Sequence, residues 1–145
     1  MTNFSEIQIR ADQRWEDLNS GKVPWIRVGT AMCGLASGAR GVVDAFRAEI
    51  LSRGIDAVVD EVGCLGICSA EPLVDIINNG SPRVFFKNIT VEDVPRLVSD
   101  YLESNSLPSE GALAYLGGKS MEGLPELGTL RSIELQERVA LRNAG

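Results

Sequence analysis

Apolar positions along the chain fall into blocks whose spacing switches between helical and extended. Over residues 4–19, Ile7, Ile9, Trp15 and Leu18 stand among charged side chains, and Asn19, Ser20 and Gly21 follow. That pattern predicts an amphipathic helix with a stop signal. Residues 24–29 (PWIRVG) are short, apolar and β-branched, which predicts a strand. The next ten residues, TAMCGLASGA, are small and glycine-bearing and read as a loop. From 40 to 54, Val42, Val43, Phe46, Ile50 and Leu51 return at helical spacing, with Gly54 placed to end the helix. Residues 55–63 predict a second strand and CLGICSAE (64–71) a loop. PLVDII (72–77) predicts a third strand, opened by Pro72 where a missing N–H is tolerated. NNGSP is a turn, RVFFK (83–87) a fourth strand, and the two strands form a hairpin. Thr90 then caps a helix over 91–104, with Asp93 three residues on as in a capping box.

From residue 24 the order is β-α-β, then a β-hairpin, then α. A strand–helix–strand unit favours parallel pairing and the hairpin adds antiparallel strands. The expected fold is an α/β sandwich of about four strands in a mixed sheet with flanking helices, an arrangement of the thioredoxin-like kind. Three regions follow: an N-terminal helical extension (1–21), the α/β domain (22–104), and a segment (105–145) rich at first in Gly, Pro and Ser, read as a linker and docking arm. Within that arm, residues 129–143 regain an apolar pattern with nothing of their own to pack against.

Composition narrows the chemistry. The chain of 145 residues is 44% hydrophobic and 23% charged, an ordinary mixture for a domain with a core. No apolar run approaches the roughly 18 residues a membrane span needs, and the polar N-terminus lacks a secretory signal pattern. The expectation is a cytoplasmic protein without membrane insertion. The net charge of −6, with no Lys/Arg cluster, argues against a nucleic-acid partner. Histidine is absent. That excludes His-based triads, Rieske-type ligation and mixed Cys/His zinc sites.

Three cysteines remain: Cys33, Cys64 and Cys68. An odd count argues against a disulfide framework and leaves metal binding, thiol chemistry or burial. Cys33 lies in the loop after the first strand; Cys64 and Cys68 form a C-x3-C pair after the second. If those strands are parallel, both loops leave the same end of the sheet and the three sulfurs converge. Small residues surround them, among them Gly34, Ala36, Ser37, Gly38, Gly63, Gly66 and Ser69. Glycine allows backbone N–H groups to approach sulfur closely. Taken singly, Cys33 is more economically a core residue. Redox-active thioredoxins use C-x-x-C at a helix start, whereas this pair precedes a strand. Structural zinc prefers Cys or His at all four positions.

GTAMCGLASGA followed by VGCLGICSAEPLVDI resembles the thioredoxin-like [2Fe–2S] ferredoxin family. More narrowly, it is similar to the N-terminal domain of the NADH- and FMN-binding subunit of complex I-like enzymes, multimeric hydrogenases and NAD-dependent formate dehydrogenases. The resemblance continues through RVFFKNITVEDVPRLVSDYL and reappears in LQERVALRN. It implies an electron-relay domain or subunit in a multisubunit NAD(P)-linked oxidoreductase, performing no bond chemistry itself. Its partners would be a flavoprotein and other iron–sulfur subunits. FMN and NAD(P) would sit on a partner chain or a missing domain, because the Gly-rich flavin and nucleotide loops are not in this sequence. By the same resemblance Cys33, Cys64 and Cys68 would hold the cluster. The family's first cysteine falls at Val28, expected here to face the site and keep it dry. A fourth ligand is then open among Ser37, Thr30, Ser69, Asp60 and Glu71. The alternative is a docking or assembly module of the same kind of complex that has kept the fold and lost the cluster.

Overall fold

The computed structural model describes residues 3–108, 110–137 and 139. Helix α1 (Phe4–Asn19) starts at a capping box: the Ser5 amide donates to the Asn3 side chain and the Asn3 amide to Glu6. Strand β1 (Trp25–Gly29) follows, then a short helix α2 (Met32–Ala36) and the long helix α3 (Ala39–Arg53). Gly54 closes α3 at φ 66°, a left-handed conformation that suits glycine at a helix end. Strands β2 (Val58–Val62), β3 (Val74–Ile77) and β4 (Arg83–Phe86) come next. Thr90 and Asp93 form the expected capping box. One 3-10 turn then leads into α4 (Val94–Leu97), and a π-helical stretch over Val98–Glu103 finishes it. Strand β5 (Ala112–Leu116) and the one-turn helix α5 (Arg131–Glu134) complete the described chain.

The sheet order is β2-β1-β3-β4-β5. β1 runs parallel to β2, and every other neighbour pair is antiparallel. The expected α/β class, the parallel β-α-β pair and the hairpin are all present. Two details differ from the sequence reading. The sheet has five strands rather than about four, because residues 112–116 of the segment read as an arm pair with β4. The loop read over 30–39 contains α2.

Side chains alternate along each strand and divide the sheet into two unlike faces. Ile26, Val28, Val74, Ile76, Val84 and Phe86 face α3 and α4 and build the main core with Val42, Val43, Phe46, Leu97 and Tyr101. Val28 is fully buried in that core. The other face carries Trp25, Arg27, Asp75, Ile77, Arg83 and Phe85. Among the described residues, two elements cover it. The end of α1 sets Leu18 on Trp25 and Ile77, and the segment around α5 brings Leu127, Leu130 and Ile133 onto Leu65, Ile67, Leu73 and Phe85. The stretch read as having nothing to pack against therefore returns to its own domain as far as the described residues run. Among those residues no helix is long and apolar enough to cross a membrane.

Candidate iron–sulfur site

Register explains the convergence of the cysteines. Gly29 at the end of β1 is level with Val62 at the end of β2, so the loops carrying Cys33 and Cys64 leave the same edge of the sheet. β3 enters from that edge, with Val74 opposite Val28. The segment from Cys68 to Leu73 is therefore delivered to the same place. Two backbone bonds tie the loops down: the Thr30 amide to Val62 oxygen at 3.0 Å and the Gly29 amide to Leu73 oxygen at 2.9 Å.

Cys33 and Cys64 are half-buried and Cys68 is exposed, all three as free thiols. The Cys68 thiol is within hydrogen-bonding reach of both other sulfurs, and its pKa is raised, chiefly by its bond to Cys33. Burial pushes the Cys64 thiol up, opposed by the Gly66 amide, which donates to its sulfur at 3.1 Å. Gly66 makes that contact at φ 84°, and a Cβ there would lie 2.8 Å from the Gln136 amide nitrogen. The C-terminal segment thus closes over the tip of the cysteine loop. Cys33 sits in the first turn of α2. Around it Met32 and Leu35 are exposed, so the sulfur-bearing edge has an apolar, accessible rim.

The five candidate oxygen donors are placed very differently. Ser37 and Ser69 are exposed, and Thr30 is half-buried at the end of β1. Asp60 lies within β2 and accepts a 2.7 Å hydrogen bond from the Trp25 indole. Glu71 alone is buried, 7% exposed, among the loops that carry the cysteines.

Among the described residues, no group of three or more Cys, Asp or Glu is arranged to hold a single metal ion. A binuclear cluster asks for something else, since its four ligand positions are divided between two irons. Three thiols at one edge of the sheet, an N–H on sulfur and glycine-lined loops match three of those positions. The donor set therefore fits a [2Fe–2S] group with one ligand left to assign.

Beside Cys64 a cavity of about 310 Å³ opens on the second sheet face, walled by Trp15, Trp25, Leu65 and Leu73 and floored by Arg27, Asp75 and Arg83. Asp75 accepts from Arg27 Nε at 2.7 Å and from Arg83 Nε and Nη2 at 2.8 and 2.9 Å. Arg27 Nη2 also lies 2.7 Å from Asp75 Oδ1, but off-axis, so it makes a Coulombic contact without an aligned hydrogen bond. Both guanidiniums stack on aromatic faces, Arg27 on Trp25 at 4.1 Å and Arg83 on Phe85 at 4.7 Å. Trp15 meets Trp25 edge-on with centroids 5.8 Å apart while remaining 61% exposed. This polar group was invisible in sequence, where Arg27 and Asp75 interrupt strands read as apolar; the strict alternation of strand faces was the signal available.

Comparison with known proteins gives a consistent picture. No family model matches the chain. A 2Fe–2S ferredoxin from Clostridium pasteurianum is 32% identical over 68 residues, 46% of this chain and 64% of that protein. The chain thus spans a little under two thirds of that relative. NADP-reducing hydrogenase subunit HndB from Solidesulfovibrio fructosivorans is 29% identical over 89 residues, covering 61% of this chain and 70% of that one. A thioredoxin-like [2Fe–2S] ferredoxin from Aquifex aeolicus superposes with a TM-score of 0.57 at 18% identity, over 68% of this chain and 97% of the other. A second structure of the wild-type Aquifex protein gives 0.54 at 19% identity, over 63% and 97%. The fold expectation and the family resemblance drawn from the sequence are both borne out.

Proposed function

We propose that this chain, which has the fold of the thioredoxin-like ferredoxins and resembles that family in sequence, is an electron-relay domain or subunit of a multisubunit NAD(P)-linked oxidoreductase of the hydrogenase type. The delivery of Cys33, Cys64 and Cys68 to one edge of the sheet carries the reading. Those three residues would hold a [2Fe–2S] cluster, which supplies one-electron redox chemistry when bound. The likeness to a subunit named as part of an NADP-reducing hydrogenase supports the kind of assembly.

Each neighbouring residue has work that follows from its position. The Gly66 amide on Cys64 sulfur disperses thiolate charge, and such contacts raise the potential of the group they surround. Leu65 and Ile67 are buried against Leu127 and Leu130, so the C-x3-C loop is held from behind while Cys68 stays at the surface. Met32 and Leu35 give a partner an apolar surface to dock on beside the sulfurs. Phe4, Ile7 and Ile9 on the exposed side of α1 offer a further assembly surface. Flavin and nicotinamide chemistry would belong to partner chains or another domain, and the chain would act in the cytoplasm.

The test is an anaerobic purification followed by a visible spectrum, iron and acid-labile sulfide analysis, and low-temperature EPR after reduction. About two irons and two sulfides per chain with an S = 1/2 signal is the expected result. Protein free of iron under those conditions would overturn the relay in favour of a docking module.

A further inference from the structure

Glu71 is a buried carboxylate without a counter-charge. It is 7% exposed, and no arginine or lysine approaches it among the described ion pairs. Among the described residues its side chain accepts one hydrogen bond, from the Leu73 amide to Oε2 at 2.8 Å, and Oε1 is not one of the fully buried unpartnered atoms. A carboxylate has several acceptor sites, so Oε1, at the solvent-reached side of an otherwise buried residue, is open to a further partner.

Its surroundings indicate which one. Gly29 makes room for it: a Cβ there would lie 2.9 Å from Oε2 and 3.1 Å from Oε1, while a Cβ on Gly34 would lie 3.2 Å from Oε2 but meet the Gly29 carbonyl oxygen first, at 2.1 Å. Gly34 directly follows Cys33 in α2. The Glu71 amide is bonded to the Cys68 carbonyl, and the carboxylate charge is felt at the Cys64 thiol. The group is thus bracketed by the segments that carry all three sulfurs. Ser37 and Ser69 are exposed and uncharged, and the Asp60 carboxylate is engaged by Trp25.

We infer that Glu71 is the fourth ligand, completing a three-thiolate, one-carboxylate set for the cluster. The inference rests on the cluster reading above and names the residue that compensates for valine at position 28. A carboxylate is a harder donor than thiolate, and it supplies oxygen lone pairs that can complete a ligand set in which sulfur provides three positions. The set also accounts for glycine at 29, where a Cβ would meet the carboxylate first; at 34 the Gly29 carbonyl already excludes a side chain.

The experiment compares the wild-type chain with Glu71→Gln and Glu71→Cys, all prepared without oxygen. Iron, sulfide, visible and EPR spectra are recorded, together with the thermal midpoint of each metal-free protein. Glu71→Gln keeps the size of the side chain and the acceptor for the Leu73 amide, so its metal-free midpoint stays close to the wild-type one. Its iron and sulfide per chain fall by about two-fold or more. Glu71→Cys regains the iron with altered charge-transfer bands and g-values, as expected of an all-thiolate set. Iron present in the wild type, with the same content and spectra in Glu71→Gln, overturns the Glu71 assignment alone. Iron absent from the wild type overturns the cluster reading and this inference together. If Glu71→Gln does not fold, Glu71→Cys decides: wild-type spectra in that variant exclude Glu71 from the ligand set.

Discussion

Replacing Asp75 by Asn tests the least expected feature of the sheet, a shared carboxylate holding two arginines in a nearly dry place. Asp75 is 3% exposed and Arg27 8%. The Asp75 carboxylate accepts three hydrogen bonds from the two guanidiniums. Burial already lowers the Arg27 pKa, with the charge of Asp75 as the main opposing influence. The amide keeps one acceptor oxygen but turns its NH2 toward Arg donors, and the site gains a net positive charge. Removing one partner of a buried ion pair costs about 3–5 kcal/mol, a large share of the ~5–15 kcal/mol that holds a domain together. With a urea slope of about 2 kcal/mol/M, the midpoint moves down by about 2 M at an unchanged slope. The assay is urea unfolding followed by tryptophan fluorescence, with wild type and variant at matched cluster content. Asp17→Asn serves as control: its ion pair with Lys22 is at the surface, and that change leaves the midpoint close to the wild-type one. A loss under about 1 kcal/mol for Asp75→Asn would refute the reasoning, showing that water in the neighbouring cavity solvates the arginines.

Two further outcomes follow from the same structure. Tyr101 is buried with an unbonded hydroxyl, and burial pushes its pKa up to about 12. Tyr101→Phe is therefore neutral or stabilising by about 1 kcal/mol at pH 7. A raised folded-state pKa means a contribution fully present below pH ~10, where the unfolded chain begins to ionise, and lost as pH rises toward 12 at about 1.4 kcal/mol per unit. Unfolding midpoints of wild type and Tyr101→Phe should diverge only above that threshold, and parallel curves would show the hydroxyl to be solvated. Gly66→Ala meets a left-handed backbone costing about 1–2 kcal/mol and a clash with Gln136. It should loosen the Cys64–Cys68 loop, seen as faster alkylation of the metal-free thiols at fixed pH, whereas an unchanged rate would show that the loop does not need Gly66.

Much of this arrangement was legible in sequence because it depends on local periods. The α3 stripe from Val42 to Ile50, the stop at Gly54 and the Thr90–Asp93 capping box are settled by neighbours a few residues apart. The parallel pairing that brings Cys33 to Cys64 follows from one β-α-β unit. Strand β5 was hidden because ALAYL lies between glycines and serines, and its extended form is stabilised by Phe85 and Val84 of β4 rather than by its own composition. The fit of Leu127 and Leu130 on Leu65 is likewise a long-range packing fact. Val28 shows the limit of counting along a motif. Its position matched a missing ligand, yet strand alternation turns it to the helix-covered core while Gly29, one residue on, meets Glu71. On the proposal above, the ligand position that the resemblance puts at Val28 is supplied instead from the loop after Cys68, whose carboxylate sits against Gly29. On that proposal, a three-cysteine chain on this fold is judged by the oxygen donors packed beside its sulfurs as well as by the count of its cysteines.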